Sequence, residues 1–270
     1  MTTFQKVIKY LAIAFAIVLI ISILTGIINA FAMVIGIFDN DTVSEDVSTY
    51  PISNNITSLE VDINAADFTI ISGDSFYVKS NLNKLTVEEK NGTLTITENN
   101  SFNLGSTYAD ASLILCVPKD FVFNHANIKT GAAKLTVEAL YADKLDLELG
   151  AGEVIINELK SLSKAHIEGG AGALSIKSGV LYDLDLDMGV GELNLTASIL
   201  GESELNYGVG EANLVLIGSK EDFCIEFNKG IGSATIDGET MSDGTVYGNG
   251  KNQIYINGGI GAINVSFKDK

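Results

Sequence analysis

The sequence reads LDMGVGELNL at residues 186–195 and, nineteen residues later, LNYGVGEANL at residues 205–214. The Gly-x-Gly pair in the middle of both stretches occurs six times, and successive first glycines are 20, 19, 19, 22 and 29 residues apart. A fixed period of this length is typical of a repeat protein in which each repeat stacks on its neighbours. The twelve glycines are Gly150, Gly152, Gly170, Gly172, Gly189, Gly191, Gly208, Gly210, Gly230, Gly232, Gly259 and Gly261.

Apolar residues keep constant positions around each glycine pair. The residue three before the first glycine and the residue six after it are apolar in every repeat, as at Leu186 and Leu195. Counted from the first glycine, inward positions therefore lie at odd distances before it and at even distances after it, a change that uninterrupted strand alternation does not allow. We infer that each pair is a structural corner where the backbone kinks, because glycine reaches positive φ without steric cost.

These features predict an all-β fold, a single-stranded β-helix or β-solenoid with coils of about 19–22 residues. Ahead of the regular repeats, strict alternation over residues 59–64 predicts a strand, and Asn91-Gly92 between two alternating runs predicts a β-hairpin. The long last step contains residues 237–252, which are rich in Gly, Asp and Asn and predict an excursion loop.

The N-terminal segment is strongly apolar. Residues Tyr10 to Phe38 contain no charged side chain, and about 20 apolar residues are enough to span a bilayer as a helix. Lys6 and Lys9 precede the run and acidic residues follow it, which by the positive-inside rule predicts a cytoplasmic N-terminus and a single-pass membrane protein. A cleaved signal peptide is the alternative, although its apolar core is usually about 7–15 residues long. The predicted organisation is an N-terminus at 1–9, a transmembrane signal anchor at 10–38, a linker at 39–57 and an extracytoplasmic repeat domain at 58–270.

The charge balance excludes one large class of partner. The formal net charge is −17, and all seventeen basic residues are lysines. A nucleic-acid backbone is held by Lys and Arg, so we expect no nucleic-acid partner. Cys116 and Cys224 each lie in an apolar run and are interpreted as buried thiols rather than a disulfide framework.

Acidic residues recur at outward positions of successive repeats, where equivalent residues lie about 4.8 Å apart. This acidic stripe predicts either a weak Ca²⁺ site, a surface for a basic partner, or a solvated face that opposes sheet association. We favour the solvated face and predict no cofactor, because even the directly stacked carboxylates of Glu192 and Glu211 would repel by only about 0.9 kcal/mol in water. The stripe consists of Asp146, Glu148, Glu168, Asp185, Asp187, Glu192, Glu204, Glu211 and Glu226.

A second outward row, five residues after the first glycine, is polar but uncharged. It offers a flat amide and hydroxyl face for glycans or another sheet, or it is a ladder that simply stacks well. His125 and His166 have no cysteine or second histidine at ligand spacing, so neither is predicted to bind zinc, and no catalytic residues are predicted. The row consists of Thr136, Ser175, Asn194, Asn213, Thr235 and Asn264.

Several short motifs, in this order, resemble the bacterial "putative adhesin" β-strand repeat family over about residues 56–267. They are ITSLEVDINAAD at 56–67, NGTLTI at 91–96, VPKD at 117–120 and the glycine coils that begin at Lys129. The resemblance implies a β-helix fold, often behind a membrane anchor in Gram-positive bacteria, and relatives linked to cell-envelope stress and antibiotic response. The family is a domain of unknown function without agreed catalytic residues, and adhesion is an analogy at the level of the fold.

The leading functional expectation is therefore a membrane-anchored, surface-exposed, non-enzymatic protein that binds a surface ligand or an envelope protein. Its partners would be the membrane, through Tyr10–Phe38, and that ligand. A polysaccharide-acting enzyme is the alternative, with Asp146, Asp185 and Asp187 as its carboxylates, although outward-facing aromatic platforms are almost absent. A third hypothesis is a scaffold for another membrane protein.

Overall fold

A computed structural model describes residues 43–53, 55–99 and 110–269 of the chain. Apart from one 3₁₀ turn at Lys220–Asp222, all of its regular elements are strands, as expected from the alternating pattern. The strands are β1 (Val43–Pro51), β2 (Ser58–Ile63), β3 (Asp67–Gly73), β4 (Tyr77–Leu82), β5 (Leu85–Lys90), β6 (Thr93–Glu98), β7 (Ser112–Pro118), β8 (Val122–Ile176), β9 (Gly179–Tyr182), β10 (Leu184–Leu200), β11 (Glu202–Ile217), β12 (Phe223–Asn228), β13 (Ile231–Ile236), β14 (Glu239–Thr240), β15 (Thr245–Gly248) and β16 (Asn252–Lys268).

The repeats stack in parallel with identical residue types in register. Between β10 and β11, Gly191 pairs with Gly210 and Leu195 with Leu214. Side chains at the predicted inward positions form one continuous apolar core, in which Leu186 and Leu195 are at most 1% exposed. Aromatic rings close both ends of this core, with Phe121 against Phe123 at one end. Phe223 against Phe267 does the same at the other.

At both ends of the molecule the layers do not stack in the order of the chain. The layer formed by β2 and β3 lies between β6/β7 on one side and β8 on the other, although β6 and β7 follow it in sequence. At the opposite end, β16 lies between β11 and the layer formed by β12 and β13. The last repeat in the sequence is therefore the second-last layer of the stack.

The fold-class prediction is corrected accordingly. Instead of a single-stranded β-helix whose coils follow chain order, the described residues form one mixed sheet of sixteen strands. Antiparallel strands cover its outer layers, with β4 on β7 and β5 on β6 at one end, and β15 on β12 and β14 on β13 at the other. Such covers are needed because an uncovered sheet edge presents unpaired backbone groups.

Three segments that are predicted locally from the sequence lie wholly or partly within the described residues. The hairpin predicted at Asn91–Gly92 is confirmed, since β5 and β6 pair antiparallel around these residues, which have φ values of 53° and 79°. The excursion predicted at residues 237–252 contains the short strands β14 and β15, which fold back onto β13 and β12. Strand β1 lies within the range 39–57 that the sequence predicts as a linker, and it pairs antiparallel with β4.

The structure does not support the predicted single-pass membrane protein. No helix within residues 43–53, 55–99 and 110–269 is long and apolar enough to cross a membrane. The predicted span Tyr10–Phe38 lies outside the described residues. The localisation predicted from that span is thus unsupported.

The glycine pairs lie where the chain turns a corner between two strand segments of each layer. The second glycine of the pairs has φ between 137° and 157°. At Gly191, which has φ 144°, an added Cβ atom would lie 1.7 Å from the carbonyl oxygen of Gly172 in the preceding layer. Both the backbone conformation and the close approach of neighbouring layers therefore require glycine there.

Candidate functional site

An open groove runs along the stack beside the glycine corners. Its floor is formed by the first glycine of each pair and the residue before it, and its wall by the residue two before that glycine. We call this surface the corner groove. Two adjoining cavities of about 350 and 560 Å³ make up the groove and share Glu168 and Gly170.

The floor residues directly before the glycines differ in size from layer to layer. Met188 and Tyr207 are both 5% exposed, whereas the equivalent position in the preceding layer is Gly169. A Cβ atom on Gly169 would lie 2.2 Å from the sulfur of Met188, so the small residue makes room for the large one.

Tyr207 ties the floor to the corner backbone. Its hydroxyl contacts the carbonyl oxygens of Gly191 and Glu211, the latter at 2.9 Å. Burial raises the pKa of Tyr207 to about 12. The hydroxyl is therefore a neutral donor at physiological pH, and it serves the structure of the corner rather than acid–base chemistry.

The wall of the corner groove changes character along the stack. Its first half carries charged side chains, and Lys129 and Glu148 form an ion pair of 2.7 Å there. Its second half carries amides, in which Asn257 donates to Asn206 at 2.8 Å and accepts from Asn228 at 2.9 Å. In stack order the wall consists of Asp62, Lys129, Glu148, Glu168, Asp187, Asn206, Asn257 and Asn228.

Two carboxylates of the acidic stripe are paired with histidines. His125 Nε2 lies 2.6 Å from Asp146 Oδ2, and His166 Nδ1 lies 3.3 Å from Asp185 Oδ2. Neither pairing is predicted from the sequence, where the two histidines are weighed only as zinc ligands. The repeat pattern contains a signal for the second pair, because His166 occupies the same outward position as Asp185 in the next repeat.

Side-chain amides donate hydrogen bonds to two further carboxylates of the acidic stripe. Glu192 and Glu211 lie in register on neighbouring strands. Glu192 accepts a hydrogen bond from Asn194 at 2.7 Å, and Glu211 accepts one from Asn264 at 3.3 Å. The second polar row thus donates into the acidic stripe.

That second row is itself hydrogen-bonded from layer to layer. Asn213 donates to Asn194 at 3.1 Å, Asn264 donates to Asn213 at 3.0 Å, and Thr235 donates to Asn264 at 3.0 Å. All donors point towards the N-terminal end of the stack. The ladder stabilises the stack and leaves fewer amide groups for a ligand than its composition suggests.

The stripe is interrupted at the C-terminal end. Glu204 and Glu226 do not lie on neighbouring strands, because both pair with Tyr255 of the intervening strand β16. Glu204 instead accepts a hydrogen bond from Asn257 at 3.0 Å. The nine carboxylates of the stripe therefore form short runs in space, such as Glu168 beside Asp187 and Asp185 beside Glu204, and not one row along the whole stack.

The proposed catalytic carboxylates lie on an open strand face. Asp146 and Asp185 are engaged by imidazoles, and Asp187 lies on the groove wall. Within the described part of the chain, no hydroxyl or thiol donates to either histidine, and no group of three or more His, Cys, Asp or Glu side chains could hold a metal ion. This strand face therefore presents rows of hydrogen-bond acceptors, and the described residues on it do not pair a nucleophile with a base.

The sequence profile of one family, described as Toastrack DUF4097, matches residues 78–266, about 70% of the chain. No curated protein matches the sequence. Among solved structures, a "putative cell adhesion protein" from Clostridium sporogenes is 17% identical, with 83% of this chain and 99% of that chain covered and a TM-score of 0.31. A "putative adhesin" from Bacteroides fragilis is 10% identical, with 84% and 100% covered and a TM-score of 0.38. A "putative lipid binding protein" from Parabacteroides distasonis is 13% identical, with 83% and 98% covered and a TM-score of 0.30.

Proposed function

Because this chain belongs to the Toastrack DUF4097 family, whose description names no reaction, we propose that it is a non-enzymatic binding protein of the adhesin type. We place its ligand in the corner groove. The observation that carries the proposal is the groove itself, which is continuous over successive layers and walled by carboxylates and amides.

The shape of the groove favours an extended ligand. Its wall repeats one hydrogen-bonding side chain for every layer, at the strand spacing of about 4.8 Å. Glu168 and Asp187 stand on adjacent strands in the middle of the groove and have no ion-pair partner within the described residues. Such a row of acceptors suits a polymer that carries hydroxyl or amino donors at regular intervals.

The groove's chemistry is tested with oligosaccharides of equal length and different charge. Titration calorimetry with a glucosamine hexamer, an N-acetylglucosamine hexamer and a galacturonic acid hexamer should show the tightest binding for the cationic glucosamine hexamer. The double variant Glu168→Gln/Asp187→Asn should bind it about tenfold more weakly, because two acceptors for charged donors are lost.

The matched control for this experiment is Glu202→Gln, since Glu202 is exposed on β11 but does not line the groove. It should bind like the native protein. Equal weakening in the control and the groove variant, or no binding of any hexamer, would contradict a binding function of the groove.

A polysaccharide-acting enzyme is the weaker candidate. Its carboxylates would have to act from positions where Asp146 and Asp185 are already bonded to His125 and His166. Catalytic carboxylate pairs normally flank the scissile bond, whereas Asp146, Asp185 and Asp187 all face outward from the same sheet face. The geometry therefore favours binding over cleavage.

We further propose that the acidic stripe is a solvated face without bound Ca²⁺. Millimolar CaCl₂ and NaCl of the same ionic strength should then give the same unfolding midpoint, because screening alone acts on the stripe. A specific site of the extracellular type, with Kd of about 10⁻⁴–10⁻³ M, would add roughly 1 kcal/mol at several-fold Kd. A midpoint raised by CaCl₂ alone, and lost in Asp187→Asn, would contradict the solvated face.

A further inference from the structure

The outer layer at the C-terminal end of the stack is only partly covered. Strand β15 covers β12 from Cys224 to Phe227, and β14 covers β13 at Thr235 and Ile236. Within the described residues, the outer side of residues 230–233 has no strand partner. We call this segment the open corner edge.

At the open corner edge, the residue between the two glycines has an exposed aliphatic side chain. Ile231 is 55% exposed, and its neighbour Ile260 in the adjacent layer is 36% exposed. In earlier layers the same position holds the half-buried Val209 and Val190. Exposed backbone next to a large aliphatic side chain is the arrangement that edge strands normally avoid unless they pair with something.

The polar groups at this end are mostly acceptors. Asn228 donates a side-chain hydrogen bond inward to Asn257, and Thr235 likewise donates inward to Asn264. Residues 226–243 contain four acidic side chains and one lysine, and Asp237 is already paired with Lys220. Glu226, Glu239 and Asp243 have no ion-pair partner within the described residues. A partner that supplies donors and positive charge therefore complements this edge.

From these observations, we propose that the open corner edge binds an extended peptide strand of another protein in which aliphatic residues alternate with Lys or Arg. The peptide adds to β13 through backbone hydrogen bonds, as in other cases of strand addition. One of its aliphatic side chains packs on Ile231 and Ile260, and its basic side chains face the acidic groups. A second copy of this chain fits less well, because it carries the same charge of −17 and contains no arginine.

The test uses a labelled octapeptide of alternating valine and lysine, whose binding is followed by fluorescence anisotropy. The native protein should bind it, and higher NaCl should weaken the binding. Ile231→Ser should weaken it about tenfold, because the aliphatic anchor is lost. Hydrogen exchange should show that the amides of residues 230–233 become protected when the peptide is present.

Three controls test whether binding depends on the position of the aliphatic side chain, on the charge of the peptide and on its backbone donors. Leu162→Ser removes a similarly exposed side chain on β8, 53% exposed, and should bind like the native protein. An octapeptide of alternating valine and glutamate, and a valine–lysine peptide with prolines that remove backbone donors, should not bind. Equal binding by Ile231→Ser and Leu162→Ser would overturn the proposal. So would self-association in sedimentation together with protection of the amides of residues 230–233 in the absence of peptide.

Discussion

Replacing Gly191 by valine is expected to destabilise the protein by about 3–5 kcal/mol, since backbone strain at φ 144° adds to the overlap of a new Cβ atom with Gly172. The neighbouring layers cannot move apart locally, because each carbonyl at the corner lies under the glycine of the next layer. For a domain of this size the melting temperature should fall by roughly 10 °C or more. Thermal unfolding followed by circular dichroism measures the difference.

The matched control is Thr196→Val on the same strand. Thr196 faces outward, is half-buried and already pairs with Val215, so a β-branched apolar residue fits its surroundings. Its unfolding free energy should change by no more than about 0.5 kcal/mol. Similar melting temperatures for the two variants would show that the corner tolerates side chains and that its glycines are not required.

Ending the chain after Lys251 should have the second large effect. It removes β16, the strand with which β11, β12 and β13 all pair. Four buried aliphatic residues leave with it, namely Ile254, Ile256, Ile263 and Val265. At about 1.5–3 kcal/mol each, they contribute roughly 6–12 kcal/mol, which is as much as the whole stability of many domains.

Hydrogen exchange distinguishes a local effect from a global one in the shortened chain. The amides of β12 and β13 should lose protection, because their parallel partner is gone, while those in the middle of β8 should keep more of it. A chain that ends after Lys268 removes only the last two residues and should behave like the native protein. Retained protection of β12 and β13 without β16 would show that these strands are held by something other than the pairing described above.

The sequence predicts the layers better than their order. Inward positions, corners and the hairpin at Asn91 follow from local rules, because alternation and glycine conformation depend on a few neighbouring residues. The order of the layers depends on which layer surfaces pack best against each other. The distance between two repeats along the chain does not determine that packing. One sequence signal for the observed order is the row of like amides Asn194, Asn213 and Asn264, which stack on one another. Thr235, which differs from them, lies in the layer outside Asn264 although it precedes it in the chain.

The candidate site was predicted in part. The outward acidic positions were readable from the repeat, and Glu192 and Glu211 do lie in register. The contacts made by the stripe carboxylates could not be predicted from the repeat. His125 reaches Asp146 diagonally in the neighbouring layer, and Tyr255 comes from a distant part of the chain. The corner groove itself depends on the depth of the floor, which comes from packing among Gly169, Met188 and Tyr207 rather than from any single residue type.

The interleaving of first and last layers has a consequence for biosynthesis. Residues 223–236 leave the ribosome before residues 252–268, yet they occupy the layer outside them. If β12 and β13 docked directly on β11 during translation, they would have to detach again to admit β16. We expect the final layers to form only after residues 252–268 have been synthesised, as a late closure of this end of the stack.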